Sequence, residues 1–127
     1  YLPQNIDEHS VVYTGTHDND TALGYMLKQT DKQFKALKKS IRAALKYEGA
    51  YTPVVDRADA VRALVLCALN ARSAIAVIPV QDILCLDNWS RMNTPSVAEG
   101  NWRFRLTAQP NRNAMANLKN AIIRAGR

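Results

Sequence analysis

The chain has 127 residues, a formal net charge of +6 and a calculated isoelectric point of about 9.6. Apolar residues make up 47% and charged residues 22%, which is typical of a globular domain with its own core and argues against intrinsic disorder. No apolar run approaches the roughly 18 residues of a membrane-spanning helix, and the start lacks the features of a secretory signal. Because the chain does not begin with Met, we expect a piece of a longer protein.

The first predicted element is a short strand over 11–15, where a β-branched and aromatic run ends in Gly15. Three polar residues, His17, Asp18 and Asn19, lie just beyond this strand. In an α/β barrel the chemistry is placed at the carboxyl ends of the strands. This cluster is therefore the first candidate for a functional site.

Three helices are predicted before the next strand. The first covers 21–29, with Asp20 as its N-cap. The second, over 31–48, is the clearest, because apolar residues recur on one stripe at helical spacing and Gly49 follows its end. The third covers 56–72 and is capped by its first residue, an aspartate. It is apolar around much of its circumference, so we expect it to be heavily buried.

The second predicted strand covers 73–78 and ends at Pro79. Its apolar run does not alternate with polar residues, which is typical of a parallel strand buried on both faces. A short helix is predicted over 81–86, followed by an irregular stretch over 87–109 and a final helix over 110–125. An irregular stretch of that length in a compact domain is usually either functional or disordered, and its aromatic content argues against disorder.

This order predicts a βαβα arrangement with two parallel strands, which do not close a sheet. Open sheet edges invite pairing with another chain, so a homo-oligomer formed through these edges is one expectation. The simplest explanation is that residues 1–127 form a single partial domain of α/β class, the C-terminal part of a TIM-type (β/α)8 barrel. A whole barrel of this type has about 250 residues, and this chain would supply its last two βα units. The isolated chain would be rich in helix.

Three carboxylates lie at predicted strand ends, namely Asp18, Asp20 and Asp82. Glycoside chemistry uses two carboxyl groups on either side of one bond, and adjacent strand ends would bring Asp18 and Asp82 together. We expect Asp82, however, to be the N-cap of the helix that follows it. Asp18 is the stronger candidate, because its polar neighbours would be costly to bury without partners.

Other kinds of site find little support in the sequence. His17 has no second histidine at ligand spacing, since His9 lies in the irregular start, so we expect no metal site. No nucleophile elbow, dinucleotide-binding glycine motif or phosphate-binding loop is present. Cys67 and Cys85 belong to no ligand cluster and are expected to be reduced, which favours a cytoplasmic protein.

The irregular stretch carries Trp102 and Phe104 beside asparagine and arginine residues. Such side chains suit sugar rings, but they also suit stacking on single-stranded nucleic acid, or they could pin the loop to the barrel. The positive charge keeps a nucleic acid in consideration. Six of the basic residues lie on the helix over 31–48, where a solvated helix face is the better interpretation. Composition does not separate these alternatives.

Several blocks resemble one known family. The run VVYTGTHDNDT at 11–21 closely resembles a signature of the 4-α-glucanotransferases, also called amylomaltases or disproportionating enzymes. The blocks RMNTP at 91–95 and GNW at 100–102 resemble another segment of that family, as do residues 1–3 and PVQD at 79–82. The resemblance covers essentially the whole chain, in order.

The resemblance implies an α-amylase-type (β/α)8 barrel that moves α-1,4-glucan segments between maltodextrin acceptors, without a cofactor and with retention. By motif, Asp18 matches the third catalytic Asp, which binds the distorted sugar ring. His17 matches a histidine that hydrogen-bonds the sugar, and Asn93 matches a substrate-contacting position. Asn19 and Trp102 are further candidates for substrate binding. A maltooligosaccharide is the expected partner, with neither a nucleic acid nor a membrane.

The resemblance also implies that the nucleophile and the acid/base lie on earlier strands of the barrel, so the chain alone is expected to be inactive. The chain departs from the usual family pattern at five positions, which are Gln4, Ile6, Ala22, Tyr25 and Ser96. Two alternatives remain beside the transferase: a basic module that binds single-stranded nucleic acid, and a domain that binds glucan without catalysis.

Overall fold

The computed structural model describes residues 5–107 and 109–127. The resemblance at residues 1–3 and the departure at Gln4 therefore lie outside the described residues. The elements, in chain order, are β1 (Val11–Tyr13), α1 (Ala22–Lys28), α2 (Asp31–Tyr47), α3 (Arg57–Asn70), β2 (Ile75–Val77), α4 (Val80–Ile83), a 3₁₀ turn (Asn88–Ser90) and α5 (Arg112–Arg124). Each element predicted from the sequence is found, with shorter strands than expected.

The two strands pair in parallel, as predicted, with Val12 opposite Ala76 in the register. Their carboxyl ends therefore meet at one edge of the sheet, where the segments after Tyr13 and after Val77 lie side by side. This pairing places the polar cluster that follows β1 next to the start of α4.

The prediction that β2 is buried on both faces is wrong. Val12 and Ala76 face α3 and pack near Ala68, whereas Ile75 and Val77 point the other way and are 54% and 41% exposed. The apolar run of β2 is typical of a strand covered on both sides, but among the described residues helices cover one face of the sheet. In the described part of the chain, no element covers the face of β2 that carries Ile75 and Val77.

The core is formed by α1, α2 and α3. The predicted stripe of α2 is confirmed, because Phe34, Ile41 and Leu45 are buried against α3 and Leu37 packs at their edge. Helix α3 is the most deeply buried element, with Ala60, Val61 and Ala63 among its fully covered residues.

Helix ends follow local sequence signals. Asp56 caps α3 as predicted, in a capping box with Asp59, and Gly49 adopts φ +70° just beyond α2. Asp20 does not cap α1, because the Thr21 hydroxyl accepts from the Gly24 N–H and occupies the N-cap position. The Asp20 side chain instead accepts hydrogen bonds from Lys28, Asn88 and Arg91.

Helix α5 is held more loosely than its apolar pattern suggests. None of its residues is buried, and Met115 on its predicted apolar side is 44% exposed. The Arg127 guanidinium nevertheless holds the chain end, since it donates to the carbonyl of Leu69 in the last turn of α3 and to that of Ser73 just beyond the helix. No helix in the described part of the chain is both long and apolar enough to cross a membrane.

Candidate active site

A pocket of about 470 Å³ opens at the carboxyl ends of the two strands. Its walls include Tyr13 and Val77, which end the strands, together with Thr16 and His17 from the loop after β1 and Pro79 from the start of the next segment. The loop between β1 and α1, residues 14–21, is called the site loop below. Its position follows from the parallel pairing of the strands.

The Asp18 carboxylate lies among polar partners from two distant parts of the chain. Its Oδ1 atom lies 3.2 Å from His17 Nε2 and accepts a hydrogen bond of 2.6 Å from Asn93 Nδ2. The backbone N–H of Asn93 also donates to the His17 carbonyl at 3.2 Å. The carboxylate remains half exposed. The structure thus brings together three residues that the sequence marked as site candidates, although Asn93 lies 75 positions downstream.

Trp102 stands beside His17, with ring centroids 5.2 Å apart and an angle of 37° between the planes. Its backbone has φ +63°, which side-chain-bearing residues adopt rarely, and its N–H donates to the Met92 carbonyl at 2.6 Å. Half of Trp102 is exposed. An aromatic face is therefore held next to the His17–Asp18 pair by a left-handed backbone turn.

Asn19 uses its side-chain oxygen within the site loop. Asn19 Oδ1 accepts from the N–H of Thr16 at 2.8 Å and from its hydroxyl at 2.9 Å, while the Asn19 N–H donates to the Thr16 carbonyl. This reciprocal turn sets the direction of the two intervening residues, His17 and Asp18. The side-chain amide of Asn19 lies at the pocket wall.

Asp82 is not the N-cap of its helix, so that prediction is wrong. Pro79 occupies the N-cap position of α4 without a side-chain bond. Asp82 is only 3% exposed, and its two oxygens accept from the Thr14 hydroxyl at 2.6 Å and from the Ala22 N–H at 2.8 Å. It therefore joins the two ends of the site loop, and one of its contacts satisfies the first turn of α1. Both oxygens of Asp82 accept these bonds, so Asp82 is not a free second carboxylate beside Asp18.

Asp20 is the most heavily bonded carboxylate near the site. It accepts from Lys28 Nζ at 2.8 Å, from Arg91 Nη1 at 2.6 Å and from Asn88 Nδ2 at 3.1 Å. Asp20 and Arg91 are 18% and 15% exposed in their side chains. Sequence reasoning missed Asn88 and the part played by Arg91, although Arg91 opens the RMNTP block.

Asn88 approaches α1 so closely that glycine is required there. A Cβ atom at Gly24 would lie 2.1 Å from Asn88 Oδ1, which also accepts from the Thr21 N–H at 3.1 Å. The close contact fixes the 3₁₀ turn of 88–90 on the first turn of α1. Gly24 therefore allows Asn88 to pack against α1, a role that the local sequence around Gly24 does not indicate.

Ser96 occupies a position where the resemblance leads us to expect glycine. Its φ of +65° explains that expectation, since this region of backbone conformation favours glycine. Around it, the Asn101 side chain closes the loop by accepting from the Thr94 N–H at 2.8 Å and donating to the Val97 carbonyl at 2.8 Å. The loop keeps its shape although serine stands there.

The remaining titratable residues do not join the site. Among the described residues no glutamate lines the pocket, and Glu8 pairs instead with Arg72 on the surface. Burial raises the pKa of the Cys67 thiol to about 12 and also raises the pKa of the Cys85 thiol. Neither thiol is therefore a reactive thiolate at neutral pH.

Comparison with known protein families gives one consistent result. A family model described as 4-alpha-glucanotransferase matches residues 1–110. The chain is 37% identical over 106 residues to the chloroplastic/amyloplastic 4-alpha-glucanotransferase of Oryza sativa subsp. japonica, which covers 84% of the chain and 16% of that protein. It is 37% identical over 108 residues to the 4-alpha-glucanotransferase of Thermus thermophilus, covering 84% of the chain and 20% of that protein.

Comparison with solved structures agrees. An amylomaltase from Streptococcus agalactiae, solved in complex with acarbose, superimposes with a TM-score of 0.78 at 28% identity. The match covers 99% of the chain and 23% of that structure. The chain thus spans about a fifth, or less, of the length of the relatives it matches.

Proposed function

The chain belongs to the 4-alpha-glucanotransferase family, and we propose that the protein to which it contributes transfers α-1,4-glucan segments between maltodextrin acceptors by a retaining double displacement. The observation that carries the proposal is the convergence of His17, Asp18 and Asn93 at the carboxyl end of β1. Family membership confirms the resemblance in the sequence motifs, and these three residues lie within the matched range.

In this proposal Asp18 binds hydroxyl groups of the sugar ring whose glycosidic bond is broken. The half-exposed Asp18 carboxylate accepts a hydrogen bond from Asn93 at Oδ1 and keeps further acceptor capacity on its exposed side. Its hydrogen bonds to the ring strengthen as the sugar distorts and oxocarbenium character develops. This difference between ground state and transition state is what lowers the barrier.

The neighbours of Asp18 complete the sugar site. His17 donates to a hydroxyl of the same ring, and Asn93 both orients Asp18 and contacts the substrate. Trp102 offers its exposed face to the apolar side of a glucose unit. The Asn19 amide, whose oxygen is occupied within the site loop, donates from the pocket wall.

In this proposal the remaining catalytic residues lie elsewhere in the protein. We propose that residues 1–127 are the C-terminal part of the catalytic barrel and supply its last two βα units. The nucleophile and the acid/base then come from earlier strands, which fits the absence of a glutamate at the pocket among the described residues. No cofactor is required for the displacement, and a cytoplasmic location is the corresponding proposal.

Two of the six basic residues of α2 make hydrogen bonds within the chain. Lys38 and Arg42 donate to the carbonyls of Val55 and Val54, so that both join α2 to the following connector. We therefore propose a maltooligosaccharide partner rather than a nucleic acid. Steeply salt-dependent binding of a single-stranded oligonucleotide would favour the nucleic-acid alternative instead.

The test of the proposed function is Asp18→Asn in the full-length protein. We expect kcat for disproportionation of maltotriose to fall by about 10³-fold, because a transition-state contact is weakened. Binding of maltotriose should change much less. Asp31→Asn is the matched control, since that carboxylate is 99% exposed on α2.

The outcome is decided by glucose release and by the pattern of longer maltodextrins. A transferase rate near that of the unmodified protein in Asp18→Asn would refute the assignment of Asp18. Absence of transfer in the unmodified full-length protein would refute the proposed activity itself.

A further inference from the structure

In the described part of the chain, the hydrogen bonds between the site loop and distant residues are made by one downstream segment, 82–93. Asp82 joins the loop ends, Asn88 contacts Thr21 and Asp20, and Asn93 holds the Asp18 carboxylate. The segment thus contributes a partner to each part of the loop. One further residue of the segment, Arg91, contacts the loop and the segment at the same time.

The Arg91 guanidinium makes three contacts in three directions. Its Nη1 pairs with Asp20 Oδ1 at 2.6 Å, its Nη2 donates to the Asp18 carbonyl at 3.0 Å, and its Nε donates to the Asn93 carbonyl at 3.1 Å. Two of these acceptors are backbone atoms of Asp18 and Asn93, whose side chains meet at 2.6 Å. One planar group therefore fixes the backbones that carry both ends of that hydrogen bond.

The electrostatics of the contact favour a fixed geometry. Arg91 is 15% exposed, and its charge is balanced by Asp20, which also receives Lys28 and Asn88. A partly buried ion pair with further hydrogen bonds is less screened than a surface pair. The N–H donors of a guanidinium point outward in a fixed, planar arrangement, whereas a lysine ammonium is a point charge on a flexible side chain. Lysine at this position would keep the pair with Asp20 but would not span all three acceptors.

We propose that Arg91 is a positioning residue for the transfer reaction: it sets the Asp18–Asn93 contact, and through it the direction in which the Asp18 carboxylate faces the sugar. The proposal rests on the proposed transferase function. Arg91 acts through Asp18 and Asn93 and need not touch the substrate.

The first experiment compares Arg91→Lys and Arg91→Ala in the full-length protein, with Arg72→Lys as control. Arg72 also pairs with a carboxylate from a distant segment, Glu8, but that pair is exposed and lies outside the pocket. We expect Arg91→Lys to lower kcat with maltotriose about 100-fold, because a displacement of about 1 Å at a reacting group has effects of that size. KM should change less than about threefold, and Arg72→Lys should match the unmodified protein.

A double-mutant cycle separates positioning from folding. If Arg91 acts through Asp18, Arg91→Lys should lower kcat by less than about threefold when Asp18→Asn is already present. A merely structural role would lower kcat by the same factor in both backgrounds. Equal loss in both backgrounds, or a kcat in Arg91→Lys equal to that of Arg72→Lys, would overturn the proposal.

A spectroscopic readout keeps the inference separate from the proposed activity. With ¹⁵N-labelled asparagine, the side-chain amide of Asn93 should give a hydrogen-bonded signal that is lost in Arg91→Lys and kept in Arg72→Lys. An Asn93 signal unchanged in Arg91→Lys would refute the positioning role even where transfer is absent. Absence of transfer with a signal that responds as expected would count against the transferase alone.

Discussion

At the scale of single residues, the carboxylates after the two strands have different tasks. Asp18 is half exposed beside His17 and Asn93, whereas Asp20 and Asp82 are largely buried and accept hydrogen bonds from several donors. Sequence position alone gave all three the same status, because each lies beyond a strand end. Burial and the number of donors around each carboxylate distinguish the site candidate from the two that hold the loop.

Asp82 gives a stability prediction. Asp82→Ala removes the acceptor of the part-buried Thr14 hydroxyl and of the buried Ala22 N–H, and leaves both donors without that partner. We expect the free energy of unfolding of the full-length protein to fall by about 3 kcal/mol. Urea denaturation measures the change.

Two control variants test whether the lost hydrogen bonds cause the loss of stability. Asp82→Asn keeps one carbonyl oxygen as an acceptor, so it should cost less than Asp82→Ala. Asp31→Ala, at an exposed position, should have an effect below about 0.5 kcal/mol. An Asp82→Ala protein as stable as Asp31→Ala would show that these contacts contribute little.

Which site residues could be predicted from the sequence depends on how far apart in the chain the interacting residues lie. His17, Asp18 and Asn93 were identified by motif, and the structure brings them together. The loop-holding contacts of Asp82 and Arg91 connect residues 60 to 73 positions apart, so no local pattern announces them. Local chemistry suggested a cap for Asp82, whereas its tertiary partners are Thr14, just after β1, and Ala22, at the start of α1.

At the scale of elements, the helices were predictable because their signals are local. The ends of α2 and α3 carry capping boxes, and the apolar stripe of α2 has helical spacing. The environment of β2 was not predictable in the same way. A continuous apolar run is typical of a strand covered on both faces, and only packing tells which neighbours are present.

The capping box of α3 gives a pH prediction. The N–H of Val55 and the Arg62 guanidinium lower the pKa of Asp59 below its ordinary value of 3.8. The unfolded chain therefore binds this proton at a higher pH than the folded chain. The stabilisation is fully present above about pH 5 and is lost as the pH falls through the lowered pKa.

We expect Asp59→Asn to remove part of this pH dependence. The unfolding midpoint of the unmodified protein should fall more between pH 6 and about pH 3 than that of Asp59→Asn, measured by circular dichroism. Glu99→Gln, at an exposed position, is the control that should follow the unmodified protein. Parallel curves for all three proteins would contradict a contribution from Asp59.

At the scale of the whole molecule, the uncovered side of the sheet is the largest departure from a self-contained fold. Val11, Tyr13, Ile75 and Val77 are each more than 40% exposed, and both strands have an open edge. Exposed apolar strands with unpaired backbone groups favour association with other strands. In the proposed barrel, preceding strands would cover these groups.

The isolated chain of 127 residues should therefore behave differently from the full-length protein. We expect it to release no glucose from maltotriose, because the proposed nucleophile and acid/base are absent from it. We also expect self-association through the strand edges, which sedimentation velocity would detect as oligomers that grow with concentration.

The full-length protein at the same concentration is the control for both measurements. A monomeric chain with a cooperative thermal transition would contradict the expected association. Formation of longer maltodextrins by the chain alone would contradict the proposed division of the catalytic residues.

The distant hydrogen-bond partners of the site loop lie in 82–93, which has a consequence for synthesis on the ribosome. Asn93 is translated 75 residues after Asp18, which at about 5–20 residues per second is a delay of roughly 4 to 15 s. During that interval the peptide that carries His17 and Asp18 exists without the partners that shape it. The arrangement of His17, Asp18 and Asn93 that we propose binds the sugar is thus one of the last features that the nascent chain acquires, well after α1, α2 and α3 have been made.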